Sequence, residues 1–237
     1  MGAIATAVQA CRKRIDAACA DAGRPAECAR LLAVSKTFPA AAIREAHSSG
    51  LTAFGESYLQ EALGKLDALA DLTLEWHFIG PLQSNKTRPL AERFDWVHGV
   101  EREKTARRLS EQRPAGLPPL NVCIQVNISG EASKHGVAPE QALDLAQLVA
   151  SLPGLRLRGF MAIPEAAAGA ATLRSRYARL RGLREQAAAT GLAVDTLSMG
   201  MSADLEMAIR EGSTLVRVGS AIFGERPYPD PTQGTHP

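Results

Sequence analysis

Lysine is scarce in this chain, which makes each lysine informative. Only 6 of the 237 residues are lysines, against 21 arginines. Acidic and basic residues nearly balance, with a formal net charge of +2. Such a balance argues against a broad nucleic-acid-binding surface or a polybasic membrane patch. It leaves room for one small anionic ligand held by a few local groups.

Cysteines and long apolar runs are also in short supply. The four cysteines, at positions 11, 19, 28 and 123, form no C-x-x-C pair, which argues against a zinc site. No apolar run approaches the roughly 18–20 residues of a membrane-spanning helix. The basic residues 12–14 follow the mild first ten residues, the wrong order for a secretory signal. We therefore expect a cytoplasmic protein with reduced thiols and no metal site.

What the chain does contain is a regular alternation of strand-like and helical segments. Eight apolar runs of strand length cover residues 30–38, 51–57, 74–80, 94–100, 120–128, 155–163, 194–200 and 214–223. Helical periodicity fills most of the gaps and residues 4–22. This pattern predicts a (β/α)8 TIM barrel, with a doubly wound open sheet as the structural rival. We expect one domain over residues 1–226 and a flexible, proline-rich tail over residues 227–237.

Lys36 is the first candidate site residue, because functional groups of a barrel gather at the carboxyl ends of its strands. It closes the first strand, where a period of two directs it inward with Leu32 and Val34. Partial burial there would favour the neutral amine, a nucleophile suited to a Schiff base with a carbonyl compound. The alternative is an exposed lysine just past the strand.

The loops after strands seven and eight form a candidate phosphate site, as in many barrels. One loop contains Gly200, Met201 and Ser202, and the other contains Gly219 and Ser220. The glycines let backbone N–H groups approach an anion, and the serines supply hydroxyls. Ser202 is also predicted to cap the helix at residues 203–212. Simple helix capping and a tight turn are the alternatives for the two loops.

A lysine on strand one and a phosphate cradle after strands seven and eight are neighbours on a closed ring. Pyridoxal phosphate (PLP) carries both an aldehyde and a phosphate, as do the sugar phosphates used by aldolases. Arg217 shares strand parity with Gly219 and could face the cofactor ring. Because an arginine cannot accept a proton, the ring nitrogen beside it would stay unprotonated and the electron sink would be weak. The alternative is an arginine that satisfies carbonyl groups or a carboxylate at the barrel rim.

Several motifs resemble one family in order and spacing, from about residue 30 to residue 226. They are AVSKT (33–37), FGES (54–57), WHFIGPLQSNK (76–86), SKHG (133–136), RGFMAIP (158–164), LSMGMSADLEMAI (197–209) and STLVRVGSAIFGER (213–226). Together they are similar to the pyridoxal phosphate homeostasis protein family. The resemblance implies a barrel like that of alanine racemase, PLP bound as an internal aldimine, and a role in vitamin B6 supply without robust turnover.

The resemblance also implies roles for single residues. Lys36 matches the Schiff-base lysine, and Arg217 matches the residue facing the pyridine nitrogen. The other cofactor-binding candidates are Ser57, Met161, Met201, Ser202, Gly219 and Ser220. Ser220 stands where the family often has Thr and keeps the hydroxyl, whereas Ser57 stands where the family commonly has Asn and is shorter.

Other residues in the matching segments have open roles. Lys134, in the loop after strand five, is either a second PLP attachment point or a solvated lysine. His77, Gln83, Asn85 and Lys86 have no physical assignment, and core or loop-shaping roles compete with ligand contact.

Three functions fit these groups. The first is a PLP carrier that passes its cofactor to an amino acid or to PLP-dependent apo-enzymes, expected to be a monomer. The second is a PLP-dependent amino acid racemase, which needs a second base such as Tyr58, Tyr177 or Tyr228 and, in known racemases, a further domain. The third is a class I aldolase acting on a sugar phosphate. The first is the expected function.

Overall fold

The protein is described by a computed structural model that covers residues 2–131, 134–165 and 169–225. Eight parallel strands pair in chain order and close into a barrel, which confirms the predicted TIM barrel over the open sheet. The strands are β1 Arg30–Val34, β2 Ala53–Glu56, β3 Glu75–Phe78, β4 Trp96–Val100, β5 Leu120–Gln125, β6 Leu155–Met161, β7 Thr196–Ser198 and β8 Leu215–Val218. The predicted tail at 227–237 lies outside the described residues.

Helices surround the barrel. They are α1 Ala3–Asp21, α2 Ala40–Ser48, α3 Leu59–Ala68, α4 Thr87–Arg93, α5 Glu103–Gln112, α6 Ala142–Ala150, α7 Ala170–Ala189, α8 Leu205–Arg210 and α9 Ser220–Phe223, with 3-10 turns at Ser84–Lys86 and Pro139–Gln141. The first helix precedes β1 and packs against α2, α8 and α9. It therefore covers the region where the last and first βα units meet.

Alternate residues of each strand face two separate apolar layers. Phe54 and Phe78 are buried between the barrel and its helices. Leu32 and Leu215 pack together in a smaller cluster with Ala53, inside the barrel. Each fully buried Leu or Phe side chain contributes roughly 1.5–3 kcal/mol to folding. This alternation assigns the even-numbered positions of β1 and the odd-numbered positions of β8 to the barrel interior.

Several strands are shorter than the sequence predicts, and the departures at β8 and α4 have a clear physical reason. The strand predicted at 214–223 ends at Val218, because Gly219 leaves the extended region (φ −114, ψ −75) and residues 220–223 form α9 instead. Helix α4 was missed because Pro89 interrupts its sequence pattern. Pro89 is the third residue of that helix, where the backbone N–H has no intrahelical partner, so its absence costs no hydrogen bond.

Within the described ranges, no helix combines the length and apolar character needed to cross a bilayer.

Candidate functional site

A tight turn places Lys36 at the carboxyl end of the barrel, two residues past β1. The Ser35 N–H donates to the Gly55 carbonyl (3.0 Å), and the Phe38 N–H donates back to the Ser35 carbonyl (3.1 Å). Lys36 itself is half-buried. Thr37 has a φ of +70, a conformation that β-branched residues rarely adopt. The turn therefore needs support from its surroundings.

That support comes from Lys65 of α3, which is 6% exposed. Its Nζ donates to the Ser35 carbonyl (2.8 Å) and to Oε1 of both Glu56 (2.8 Å) and Glu61 (2.5 Å). Glu61 Oε1 also accepts the Thr37 N–H at 2.6 Å. The cluster ties both sides of Lys36 to α3. Sequence reasoning missed it, although the i, i+4 spacing of Glu61 and Lys65 was a signal.

Burial has the largest effect on the pKa of the Glu56 carboxyl in this cluster. Glu56 is fully buried, and burial raises the pKa of its carboxyl group, although the hydrogen bond and charge of Lys65 oppose that shift. Its second oxygen, Oε2, has no hydrogen-bond partner among the described residues. The carboxylate therefore depends on Lys65 for charge compensation.

Arg217 lies inside the barrel, on β8, and is 4% exposed. Its Nη1 donates to the carbonyl (2.6 Å) and hydroxyl (2.8 Å) of Ser198, and Nη2 donates to the Ala162 carbonyl (2.9 Å). The guanidinium thus points inward and satisfies carbonyl groups, and its contact with a cofactor ring stays a prediction. Burial lowers the pKa of Arg217, against the charges of Tyr177 and Asp204. Among the described residues, no carboxylate lies within 4.0 Å of it.

The loops after β7 and β8 bring two hydroxyls together. Ser220 Oγ lies 3.4 Å from Ser202 Oγ, with Ser220 exposed and Ser202 half-buried. A Cβ at Gly219 would lie 3.2 Å from the Val34 carbonyl oxygen, so this glycine packs closely against the end of β1. The paired hydroxyls therefore lie on the same side of the barrel as Lys36.

The predicted capping role of Ser202 is wrong. Helix α8 begins at Leu205, with Asp204 in the N-cap position. The Asp204 carboxylate accepts the Met201 N–H (2.6 Å) and the Tyr177 hydroxyl (2.8 Å). Because Asp204 holds the turn before the helix, Ser202 is left outside it and its hydroxyl meets that of Ser220.

The remaining predicted residues lie around this site in different environments. Met161 is fully buried and packs with Trp96 and Cys123 inside the barrel. Met201 and Ser57 are half-buried at the carboxyl ends of their strands. Phe38 and Phe223 stack with ring centroids 5.1 Å apart, which links the Lys36 turn to α9.

The residues without an assignment separate into two groups. His77 is fully buried in the barrel interior. Gln83 and Asn85 are exposed, Lys86 is half-buried, and Lys134 is exposed in the loop after β5. The exposure of Lys134 agrees with a solvated lysine and leaves its second role as a prediction.

Sequence reasoning also missed a row of polar side chains that crosses the barrel interior. Ser198 Oγ lies 2.9 Å from His98 Nδ1, and His98 Nε2 lies 2.9 Å from His77 Nδ1. His77 Nε2 lies 2.6 Å from Glu75 Oε1, which also pairs with Arg30 at 3.1 Å. Strand parity was the available signal, because both histidines occupy inward positions of neighbouring strands.

Metal binding has no basis in these side chains: across residues 2–131, 134–165 and 169–225, no group of three or more His, Cys, Asp or Glu is placed to hold an ion.

Comparison with known proteins assigns the chain to a family. The family model described as alanine racemase, N-terminal domain, matches residues 7–227. The pyridoxal phosphate homeostasis protein of Pseudomonas aeruginosa is 62% identical over 231 residues, which are 98% of this chain and 99% of that protein. PipY of Synechococcus elongatus, solved with PLP bound, is 34% identical with a TM-score of 0.81, covering 93% of this chain and 100% of PipY.

Alanine racemases are more distant. The enzyme from Corynebacterium glutamicum is 19% identical with a TM-score of 0.68, and the match covers 95% of this chain but 61% of the racemase. At that identity the likeness shows the fold alone. The chain belongs to the family of the alanine racemase N-terminal domain and, within it, to the pyridoxal phosphate homeostasis proteins.

Proposed function

We propose that this protein holds PLP through a reversible covalent bond to Lys36 and serves intracellular PLP homeostasis without a robust catalytic turnover. The observation that carries the proposal is the meeting of three kinds of group at one end of the barrel. They are an amine (Lys36), a pair of hydroxyls 3.4 Å apart (Ser202 and Ser220) and a buried guanidinium (Arg217). The names of the close relatives and the PLP-bound PipY support the same conclusion.

The donor set suits the three functional parts of PLP. The Ser202 and Ser220 hydroxyls can donate to phosphate oxygens, and Gly219 has no side chain to block approach to its backbone. Arg217 can only donate, so it leaves a pyridine nitrogen unprotonated. Bound PLP with an unprotonated ring is a weak electron sink, which suits storage better than turnover. Met161, Met201 and Ser57 would line the same mouth.

Lys36 supplies the reactive amine. Its condensation with an aldehyde forms one carbon–nitrogen double bond and releases one water, and a competing amine reverses the attachment by exchange. Lys65, the buried lysine beside this turn, is held by three hydrogen bonds, two of them to carboxylates. It is therefore not available as a competing nucleophile. Free amino acids and PLP-dependent apo-enzymes are the recipients we expect.

A racemase needs a second base on the opposite face of the cofactor, and the described tyrosines do not supply a good one. Tyr58 lies at the rim and is 53% exposed. Tyr177 is buried on α7, donates to Asp204, and burial raises the pKa of its hydroxyl. Tyr228 lies outside the described residues. A carrier fits these positions better than a racemase, and we expect a cytoplasmic monomer.

Absorbance of the purified protein with added PLP tests this function. We expect a visible band that borohydride bleaches, that is lost in Lys36→Ala and that persists in the control Lys134→Ala. A preparation that stays colourless contradicts the proposal. Incubation with L-alanine separates the racemase, because a rate of D-alanine formation well above that of free PLP would favour an enzyme.

A further inference from the structure

The row of polar groups across the barrel has two ends with fixed chemistry. At one end Arg217 Nη1 lies 2.8 Å from Ser198 Oγ, and a guanidinium only donates hydrogen bonds. At the other end His77 Nε2 lies 2.6 Å from a Glu75 oxygen, and a carboxylate only accepts. Because one end can only donate and the other can only accept, the donor and the acceptor of every hydrogen bond between them are determined.

The links can be assigned one by one. His77 Nε2–H donates to Glu75, so a neutral His77 accepts at Nδ1. His98 Nε2–H then donates to His77 Nδ1 (2.9 Å), so a neutral His98 accepts at its own Nδ1. Ser198 O–H donates to that nitrogen (2.9 Å) while its oxygen accepts from Arg217. All four hydrogen bonds point from Arg217 towards Glu75.

Burial favours the neutral form of both imidazoles, which this arrangement requires, although the Glu75 carboxylate opposes the effect at His77. His77 and His98 are fully buried, and burial lowers the pKa of each. His77 also faces Arg30 and Asp95, and His98 faces Arg217. His77 stacks on Trp96 with ring centroids 5.1 Å apart. The rings are therefore held in place by packing as well as by hydrogen bonds.

The far end of the row reaches solvent. Glu75 is partly exposed and lines a surface cavity of about 460 Å³ at the amino ends of the strands, with Asp95 and Thr52. Burial alone would raise the pKa of Glu75, but the hydrogen bond from His77 and the positive charge of Arg30 hold it below its usual range. The carboxylate is thus charged throughout the neutral range, whereas the buried Arg217 has no carboxylate beside it in the described chain.

We propose that Glu75, His77 and His98 are positioning residues for Arg217: a one-way hydrogen-bond relay that fixes the Ser198 hydroxyl as an acceptor and so orients the guanidinium towards the barrel mouth. The relay links a charge at one end of the barrel to the binding site at the other. Its effect on PLP rests on the proposed function, whereas the relay itself is a property of the protein without cofactor.

The direct test is nitrogen-15 NMR of the histidine rings in the protein without PLP. The chain has five histidines, so single His→Gln variants assign the signals. We expect both His77 and His98 as neutral Nε2–H tautomers at pH 7. An Nδ1–H tautomer, or a doubly protonated ring, at either position overturns the relay.

A second test follows the binding site. His98→Leu cuts the relay, whereas His98→Gln retains one donor and one acceptor. We expect His98→Leu to weaken PLP binding roughly three- to tenfold, with His98→Gln restoring most of it. The matched control is His47→Gln, because His47 bonds the Leu51 carbonyl outside the barrel. Equal affinity in His98→Leu and the parent would contradict the relay.

If His98→Leu does not fold, Glu75→Gln at the partly exposed end replaces it. This change removes the charge but keeps an acceptor, so the His77 Nε2–H proton should resonate downfield in the parent and move upfield in the variant. An unmoved resonance contradicts the relay. If PLP attaches normally to Lys36 but the tautomers differ from those expected, only the relay is rejected. If the tautomers are as expected but PLP does not attach, only the proposed function is rejected.

Discussion

Ser202 and Ser220 are small residues from different loops, and their hydroxyls lie 3.4 Å apart. A hydrogen bond to a charged group is worth about 1.5–3 kcal/mol. We therefore expect Ser202→Ala and Ser220→Ala each to weaken PLP binding about tenfold or more. Because both hydroxyls would serve one phosphate, the double variant should lose less than the sum of the two losses. Equilibrium titration with PLP measures all three.

The exposed Ser48 on α2 is the control for these variants, since its hydroxyl bonds the Arg44 carbonyl outside the site. Ser48→Ala should bind PLP as the parent does. Full affinity in the double variant would show that the phosphate lies elsewhere.

Single residues also show which parts of the site are readable from sequence. Lys36 and Arg217 follow from strand parity and from the motifs around them. The start of α8 cannot be predicted in this way. The Asp204 carboxylate accepts hydrogen bonds from the Met201 N–H and the Tyr177 hydroxyl, and Tyr177 lies 27 residues away in sequence. A contact of that kind exists only after the helices have packed.

At the level of elements, the contact of α3 with the carboxyl ends of β1 and β2 depends on one buried ion pair, Lys65–Glu56. Lys65→Met would leave Glu56 buried without its cation, which typically costs about 3–5 kcal/mol. The deprived carboxyl should take up a proton on folding, so the loss should grow as the pH rises above about 5. Urea denaturation at several pH values measures both effects.

The exposed pair Arg44–Asp71 provides a comparison, with side-chain exposures of 46% and 59%. Asp71→Asn should change the free energy of unfolding much less than Lys65→Met does, because solvent screens an exposed ion pair. If Lys65→Met were equally mild, the Lys36 turn would not depend on α3 in the way described.

Element existence was easier to predict than element ends. All eight strands were found, because each is a short apolar run between helical patterns. The end of β8 was placed too late, since the apolar residues of 220–223 serve equally well in a short helix against α1. Composition therefore does not tell whether residues 220–223 continue the strand or form a helix. The backbone turn at Gly219 decides for the helix.

For the whole molecule, the two buried histidines make stability depend on pH. Burial lowers the pKa of each ring in the folded barrel, whereas each takes up a proton in the unfolded chain below its ordinary pKa of 6.5. The unfolded state therefore binds more protons at low pH, and the free energy of unfolding should fall as the pH drops from about 6.5 towards 5. The slope approaches about 1.4 kcal/mol per pH unit for each histidine.

Urea denaturation between pH 5 and pH 8 checks this expectation. His98→Gln removes one of the two groups and should reduce the slope by about half. A parent stability that is flat over this range would mean that both rings take up protons over the same pH range in the folded and unfolded states, which would contradict the lowered pKa of the buried rings.

Barrel closure explains why the site as a whole was only partly predictable. Lys36 and Arg217 could be placed near one another because β1 and β8 must pair when eight strands close, and Leu32 does pair with Arg217. The relay needs His77, His98 and Ser198 from three different strands at one height. That height depends on the register of the whole barrel, which the alternation of strands and helices does not specify.

The central claim is that Lys36 carries the cofactor. Mass spectrometry of the protein incubated with PLP, reduced with borohydride and digested locates the modified lysine among the six. We predict the reduced adduct on the peptide that contains Lys36, and its loss in Lys36→Ala but not in Lys134→Ala. An adduct confined to another lysine, or none on any peptide, would contradict the account.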